Sequence, residues 1–148
     1  IYKPFPGTYT NDPIKKHYKH YFDEGRIKLT NKKPKGLYSK VDVVLWDSVS
    51  TGFAESVVAD VPVIVFNSKH EYEQTSNRGR IVNDALKNSG VQCFDICSAI
   101  KSFKRIINDL DSYKKDTLTS INMFKKDMAT PVTRKEWHDR FNNGISSE

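Results

Sequence analysis

The chain has 148 residues, with 24 Lys and Arg against 18 Asp and Glu, and is 37% hydrophobic, 28% charged and 11% aromatic, with a mean hydropathy of -0.62. No apolar run approaches the roughly 18 residues of a membrane span, and the varied composition argues against disorder, so one soluble globular domain is expected. Cys93 and Cys97 are too few for a disulfide scaffold and lack the second ligand pair of a zinc site, which fits a reducing compartment. The net charge of +6 is uneven: residues 1–40 hold ten Lys and Arg against three acids, and residues 41–148 hold fourteen against fifteen. Such an excess suits nucleic acid, an anionic membrane or a phosphate-bearing small molecule, and a solvated helix face explains Lys15, Lys16 and Lys19 equally well.

In chain order, Asp12-Pro13 reads as a cap and first helical position. Ile14, Tyr18, Tyr21 and Phe22 then mark one face of a helix over 13–24 that Gly25 stops. A short strand over 26–30 and a polar loop over 31–36 follow. Residues 41–46 form a nearly unbroken β-branched apolar run, the pattern of a strand buried on both faces of a parallel sheet. A small-residue loop, Asp47-Ser48-Val49-Ser50-Thr51-Gly52, leads into a helix over 53–60, and a second buried strand over 62–66 completes a β-α-β unit. These two strands are expected to be adjacent, parallel and central, with helices on both faces.

Residues 67–76 read as a polar loop, and 77–88 as a helix buried through Ile81, Val82, Ala85 and Leu86. A strand over 91–94 follows. Ile100, Phe103, Ile106, Ile107 and Leu110 line one helical face, and Leu118, Ile121, Phe124 and Met128 line the next. After Pro131, a terminal helix over 134–143 carries Trp137 and Phe141. The alternation predicts a three-layer α/β domain with a mainly parallel sheet over 1–130 and a helical extension over 131–148. The first residues read as a strand already under way, so the chain is expected to be part of a longer protein.

Ligands of open parallel sheets bind beyond the carboxyl ends of the strands. There, Ser48, Ser50 and Thr51 supply hydroxyls, Gly52 permits close approach, and a following helix N-terminus favours an anion. Glu55, one turn into that helix, can accept hydrogen bonds from vicinal hydroxyls such as those of a ribose. The alternative is a capping-box glutamate of the Ser/Thr-x-x-Glu kind. His70 follows the second strand, where it could contact the same ligand, and Arg78 sits near a helix start where it could meet phosphate, although a solvated role suits both. His17 and His20, beside lysines, are poor metal ligands. No Walker A loop, Gly-x-Gly-x-x-Gly, nucleophile elbow or nuclease-like acidic cluster is present.

The run from Val41 through Asp47-Ser48-Val49-Ser50-Thr51-Gly52 and Glu55 to Pro62-Val63-Ile64-Val65-Phe66 resembles the donor-site unit of GT-B fold glycosyltransferases. It is similar to bacterial surface-polysaccharide transferases and CDP-glycerol glycerophosphotransferases. Lys3-Pro4-Phe5-Pro6 is similar to the end of the first strand of their C-terminal domains, except that Phe5 stands where many relatives carry histidine.

The resemblance implies a Rossmann-like donor-binding half. Ser50, Thr51 and Gly52 would cradle a donor phosphate, Glu55 would bind ribose or sugar hydroxyls, and Lys3 would neutralise phosphate. It also implies a nucleotide-activated sugar or polyol phosphate as substrate, no cofactor or metal, and a catalytic base in an N-terminal half outside this chain. A cytoplasmic location, with association at the inner membrane surface, is the expected setting. Two alternatives stand beside it: a nucleotide-sugar epimerase of the same fold, and a non-catalytic basic module for nucleic acid or anionic lipid. The apolar-face positions of the aromatics near the basic segment argue against a nucleic-acid partner.

Overall fold

The computed structural model describes residues 1–3, 12–73 and 76–129, without the side chains of Lys35, Glu71, Arg78, Met128 and Ala129. Pro4, Phe5 and Pro6, and the helix expected over 134–143 with Trp137 and Phe141, lie outside the described residues. The chain divides into two units, Ile1–Leu37 and Tyr38–Glu148, and the division falls inside the stretch expected as one domain.

In the first unit Asp12 caps as its sequence predicts, its carboxylate accepting the amides of Ile14 and Lys15 at 2.8 and 3.2 Å and the Tyr2 hydroxyl at 2.8 Å. Burial opposes ionisation of this carboxyl, but these hydrogen bonds outweigh it and hold the pKa below the usual range. The expected single helix is two short ones, α1 (Pro13–His17) and α2 (Lys19–Asp23). Tyr18 leaves helical geometry between them, with φ -104° and ψ 25°, and the Tyr21 amide bonds back only three residues to the Tyr18 carbonyl. Gly25, at φ 72°, ends the segment where the sequence places the stop. The strand expected over 26–30 reduces to an isolated parallel bridge between Leu29 and Tyr2. No residue of α1 or α2 is fully buried: Ile14 and Tyr18 are exposed, while Tyr21 and Phe22 are half-buried, so only the far half of the expected apolar face is covered.

Among its described residues the second unit is mixed α/β around a small parallel sheet of three strands, β1 (Val44–Trp46), β2 (Val63–Phe66) and β3 (Gln92–Cys93), in the order β1-β2-β3. Val44 pairs with Val63, Trp46 with Val65, and Val65 with Gln92, so period-two alternation sorts the side chains between two faces. Val44, Trp46, Val63, Val65 and Gln92 share the face that meets α3 (Thr51–Val58), where the Trp46 indole Nε1 donates to Ser56 Oγ at 3.0 Å. Leu45, Ile64, Phe66 and Cys93 share the other, where Cys93 Sγ meets Ser102 of α6 (Ile96–Asn108). The β-α-β unit is thus present, adjacent and parallel. One part of the expectation fails: among the described residues β1 is an edge strand, and Leu45 is 57% exposed. An apolar run records a tendency to be buried, not how many of its residues pair, and only three of these six do.

Among the described residues the unit has three further α-helices, α4 (Lys69–Glu73), α5 (Asn77–Ser89) and α7 (Leu110–Phe124), besides a 3-10 turn at Tyr38–Lys40 and a π-helical turn at Lys125–Ala129. The segment read as a polar loop contains α4. On α5, Val82 and Leu86 are buried as expected but Ile81 is exposed, and Asn83 is buried in its place. On α6 the buried residues are Ala99, Ser102 and Ile106, while Ile100, Phe103 and Ile107 are exposed; Leu110 falls beyond the helix, after a new cap at Asp109. On α7 the buried row is Tyr113, Thr117, Ser120 and Phe124, and Leu118 is exposed. Small hydroxyl residues win because α7 lies close to α5, with Ser120 Oγ 2.8 Å from Ser89 Oγ, and Thr117 and Ser120 satisfy themselves on the carbonyls of Tyr113 and Thr117. The core joins Phe53, Val57, Val63, Val65, Leu86, Val91 and Phe124, with Phe53 and Phe124 edge to face at 4.8 Å.

Candidate functional site

The site expected at the carboxyl end of β1 is built by a strand-to-helix turn. Trp46 ends the strand, residues 47–50 form the loop, and Ser50, in extended geometry, is the N-cap of α3, its carbonyl accepting the Ala54 amide at 3.0 Å. Its side chain makes no cap hydrogen bond. Ser76, Asp95 and Asp109 do so at the starts of α5, α6 and α7, accepting the amides of Gly79, Ser98 and Ser112. The first amides of α3 therefore lack side-chain satisfaction at the positive end of the helix, the arrangement that accepts an anion.

Thr51 and Ser50 are exposed here, whereas Ser48 is half-buried with its hydroxyl 3.4 Å from Asp47 Oδ1. Gly52 is required by its own fold: a Cβ there would lie 2.4 Å from the Trp46 ring. The indole thus packs directly beneath the first turn, and its bond to Ser56, whose hydroxyl donates to the Phe53 carbonyl at 2.8 Å, ties strand end to helix.

Glu55 is exposed and is the fifth residue of α3. The capping-box alternative does not hold, because that motif needs the acid at the third helical position, which is Phe53, and the residue three before Glu55 is Gly52. Its carboxylate instead meets Tyr38, whose hydroxyl lies 3.4 Å from Glu55 Oε2 and 3.2 Å from the Gly52 carbonyl oxygen. Burial, and then the Glu55 charge and hydrogen bond, push the Tyr38 phenol up to about 12, so it stays a donor through the neutral range. Sequence reasoning missed Tyr38; a lone aromatic before an apolar strand carries no signal beyond packing.

The other expected residues are dispersed. Lys3 belongs to the first unit. His70 is exposed on α4, a short helix whose Tyr72 hydroxyl bonds Asp84 of α5 and whose Tyr72 ring lies edge to face with Phe94. Arg78 is the second residue of α5, and its side chain lies outside the described residues. A further polar pair missed by the sequence reading lies on the sheet: Gln92, 2% exposed, donates through Nε2 to Asn67 Oδ1 at 3.2 Å, and its Oε1 has no partner among the described residues.

Clefts lie elsewhere, one of about 570 Å³ beside Lys101, Lys104 and Arg105 and another of about 340 Å³ along β3 and the end of α5. Among the described residues, no group of three or more His, Cys, Asp or Glu could hold a metal ion, both cysteines are free, and no helix is long and apolar enough to cross a membrane. No protein-family model matches the sequence, and no curated protein or solved structure proves significantly similar to it.

Proposed function

We propose that the Tyr38–Glu148 unit is the Rossmann-like, donor-binding half of a GT-B type glycosyltransferase that uses a nucleotide-activated sugar or polyol phosphate in bacterial surface polysaccharide assembly. The observation that carries the reading is the uncapped start of α3 at the carboxyl end of a parallel strand, with a carboxylate one turn further on. The amides near Ser50, Thr51 and Gly52 receive the donor phosphate and stabilise the charge that grows on it as the nucleotide departs. Glu55 accepts hydrogen bonds from two hydroxyls of the ribose. His70 and Arg78 of the same unit remain proposed contacts, and the base that deprotonates the acceptor is assigned to a further domain of a longer protein.

Replacing Glu55 with Ala is expected to weaken a ribose nucleotide by about 1.5–3 kcal/mol, the range for a hydrogen bond to a charged group, and to leave stability within about 0.5 kcal/mol because the side chain is exposed. Titrating UDP, CDP, GDP and CMP into the chain and the variant checks this by calorimetry, and unchanged affinity for all four sinks the reading. A second reading draws on charge: nine Lys and Arg against three acids fall in Ile1–Leu37, whereas fifteen balance fifteen in the rest. With Tyr18 exposed and stacked on Tyr21, and Arg26 over the Tyr21 ring at 4.6 Å, this unit suits a single-stranded nucleic acid, and steeply salt-dependent binding of an RNA oligonucleotide in the same titrations favours it.

A further inference from the structure

We propose that Tyr38 is a positioning residue for Glu55, tying its carboxylate to the first turn of α3 so that one oxygen is held and the other faces a ribose diol. The inference rests on the donor-site reading above. Its own basis is that a largely buried tyrosine, fourteen and seventeen residues away in sequence, places one hydroxyl within reach of both the Gly52 carbonyl oxygen and Glu55 Oε2. An exposed glutamate otherwise samples many rotamers, and each is lost when a ligand fixes one. A tether anchored in the core removes part of that cost before binding, which raises affinity without adding a ligand contact. The hydroxyl has one proton for two acceptors, and the Gly52 carbonyl, within α3, has a helix amide to accept, so the proton can serve the charged Glu55 carboxylate, the stronger acceptor.

The test is a titration of UDP, CDP and GDP, each beside its 2′,3′-dideoxy analogue, into the wild-type chain, Tyr38→Phe, Glu55→Ala and the double variant, with circular dichroism confirming that each is folded. Tyr38→Phe is expected to weaken at least one ribose nucleotide about fivefold, part of the cost of ordering one glutamate side chain, with the dideoxy analogue unchanged and the double variant no weaker than Glu55→Ala. If Glu55→Ala weakens binding while Tyr38→Phe binds as wild type, or if Tyr38→Phe loses equally on both nucleotides, the positioning role is overturned and the donor site stands. If the wild type binds none of them, or Glu55→Ala changes nothing, the donor site falls and the role of Tyr38 falls with it.

Discussion

Helices α3 and α6 cover opposite faces of one small sheet, and the sequence describes the first better than the second. On α3, Phe53 and Val57 lie one helical turn apart and are both buried as their spacing demands, while Val58 beside them is exposed. On α6, a long aligned stripe predicts a deep seat, yet the helix meets the sheet through Ala99, Ser102 and Ile106 and turns Ile100, Phe103 and Ile107 outward. Spacing identifies a stripe but not which of its edges is packed, and successive residues such as Ile106 and Ile107 lie about 100° apart around the axis. Close approach decides the matter: Ser102 donates to the Gly90 carbonyl at 2.6 Å and touches Cys93, a separation no phenylalanine could accept.

The sharpest way to break this comparison is at Phe53, fully buried against Phe124. Phe53→Ala is expected to cost about 3–5 kcal/mol, read as a drop in the urea midpoint, because it removes a large ring from a packed interior. A loss below about 1 kcal/mol would mean that α3 is no more firmly seated than α6. Gly52→Ala probes the same helix from above. Its Cβ must displace the Trp46 ring, so about 1–3 kcal/mol of destabilisation is expected, the usual cost of forcing extra atoms into a packed site. A neutral result would return Gly52 to the role the sequence suggested, space for a ligand alone.

What the sequence made legible follows the same division. The β1-α3-β2 unit could be read because a β-branched run, a small-residue loop and a second run leave few alternatives to a parallel crossover, and the loop that follows Trp46 did prove to be a helix start. The edge position of β1 could not be read, since pairing partners are set by the whole chain rather than by the composition of one strand. Tyr38 was invisible for a related reason: its hydroxyl acts on Glu55 across seventeen residues, a relation no local pattern encodes. The hydroxyl row of Thr117 and Ser120 was hidden by hydrophobicity itself, because polar residues that bond their own helix can be buried at little cost and apolar counting passes over them.

The smallest expected effect is at Ile107, and it is the most informative about α6. Read from the sequence, Ile107 belongs to a buried stripe, and truncating it to Ala should then cost about 2–5 kcal/mol, as for any large core residue. In the structure the side chain is 65% exposed, beside an Ile106 that is 5% exposed. The cost of Ile107→Ala should therefore fall within about 0.5 kcal/mol, since little apolar surface is returned to water and alanine has the higher helix propensity. Urea melts of the intact chain at matched concentrations separate the two values by far more than their error. A large loss would mean that the outward edge of α6 is covered when the chain folds in solution, and the contrast between the two helices would then disappear.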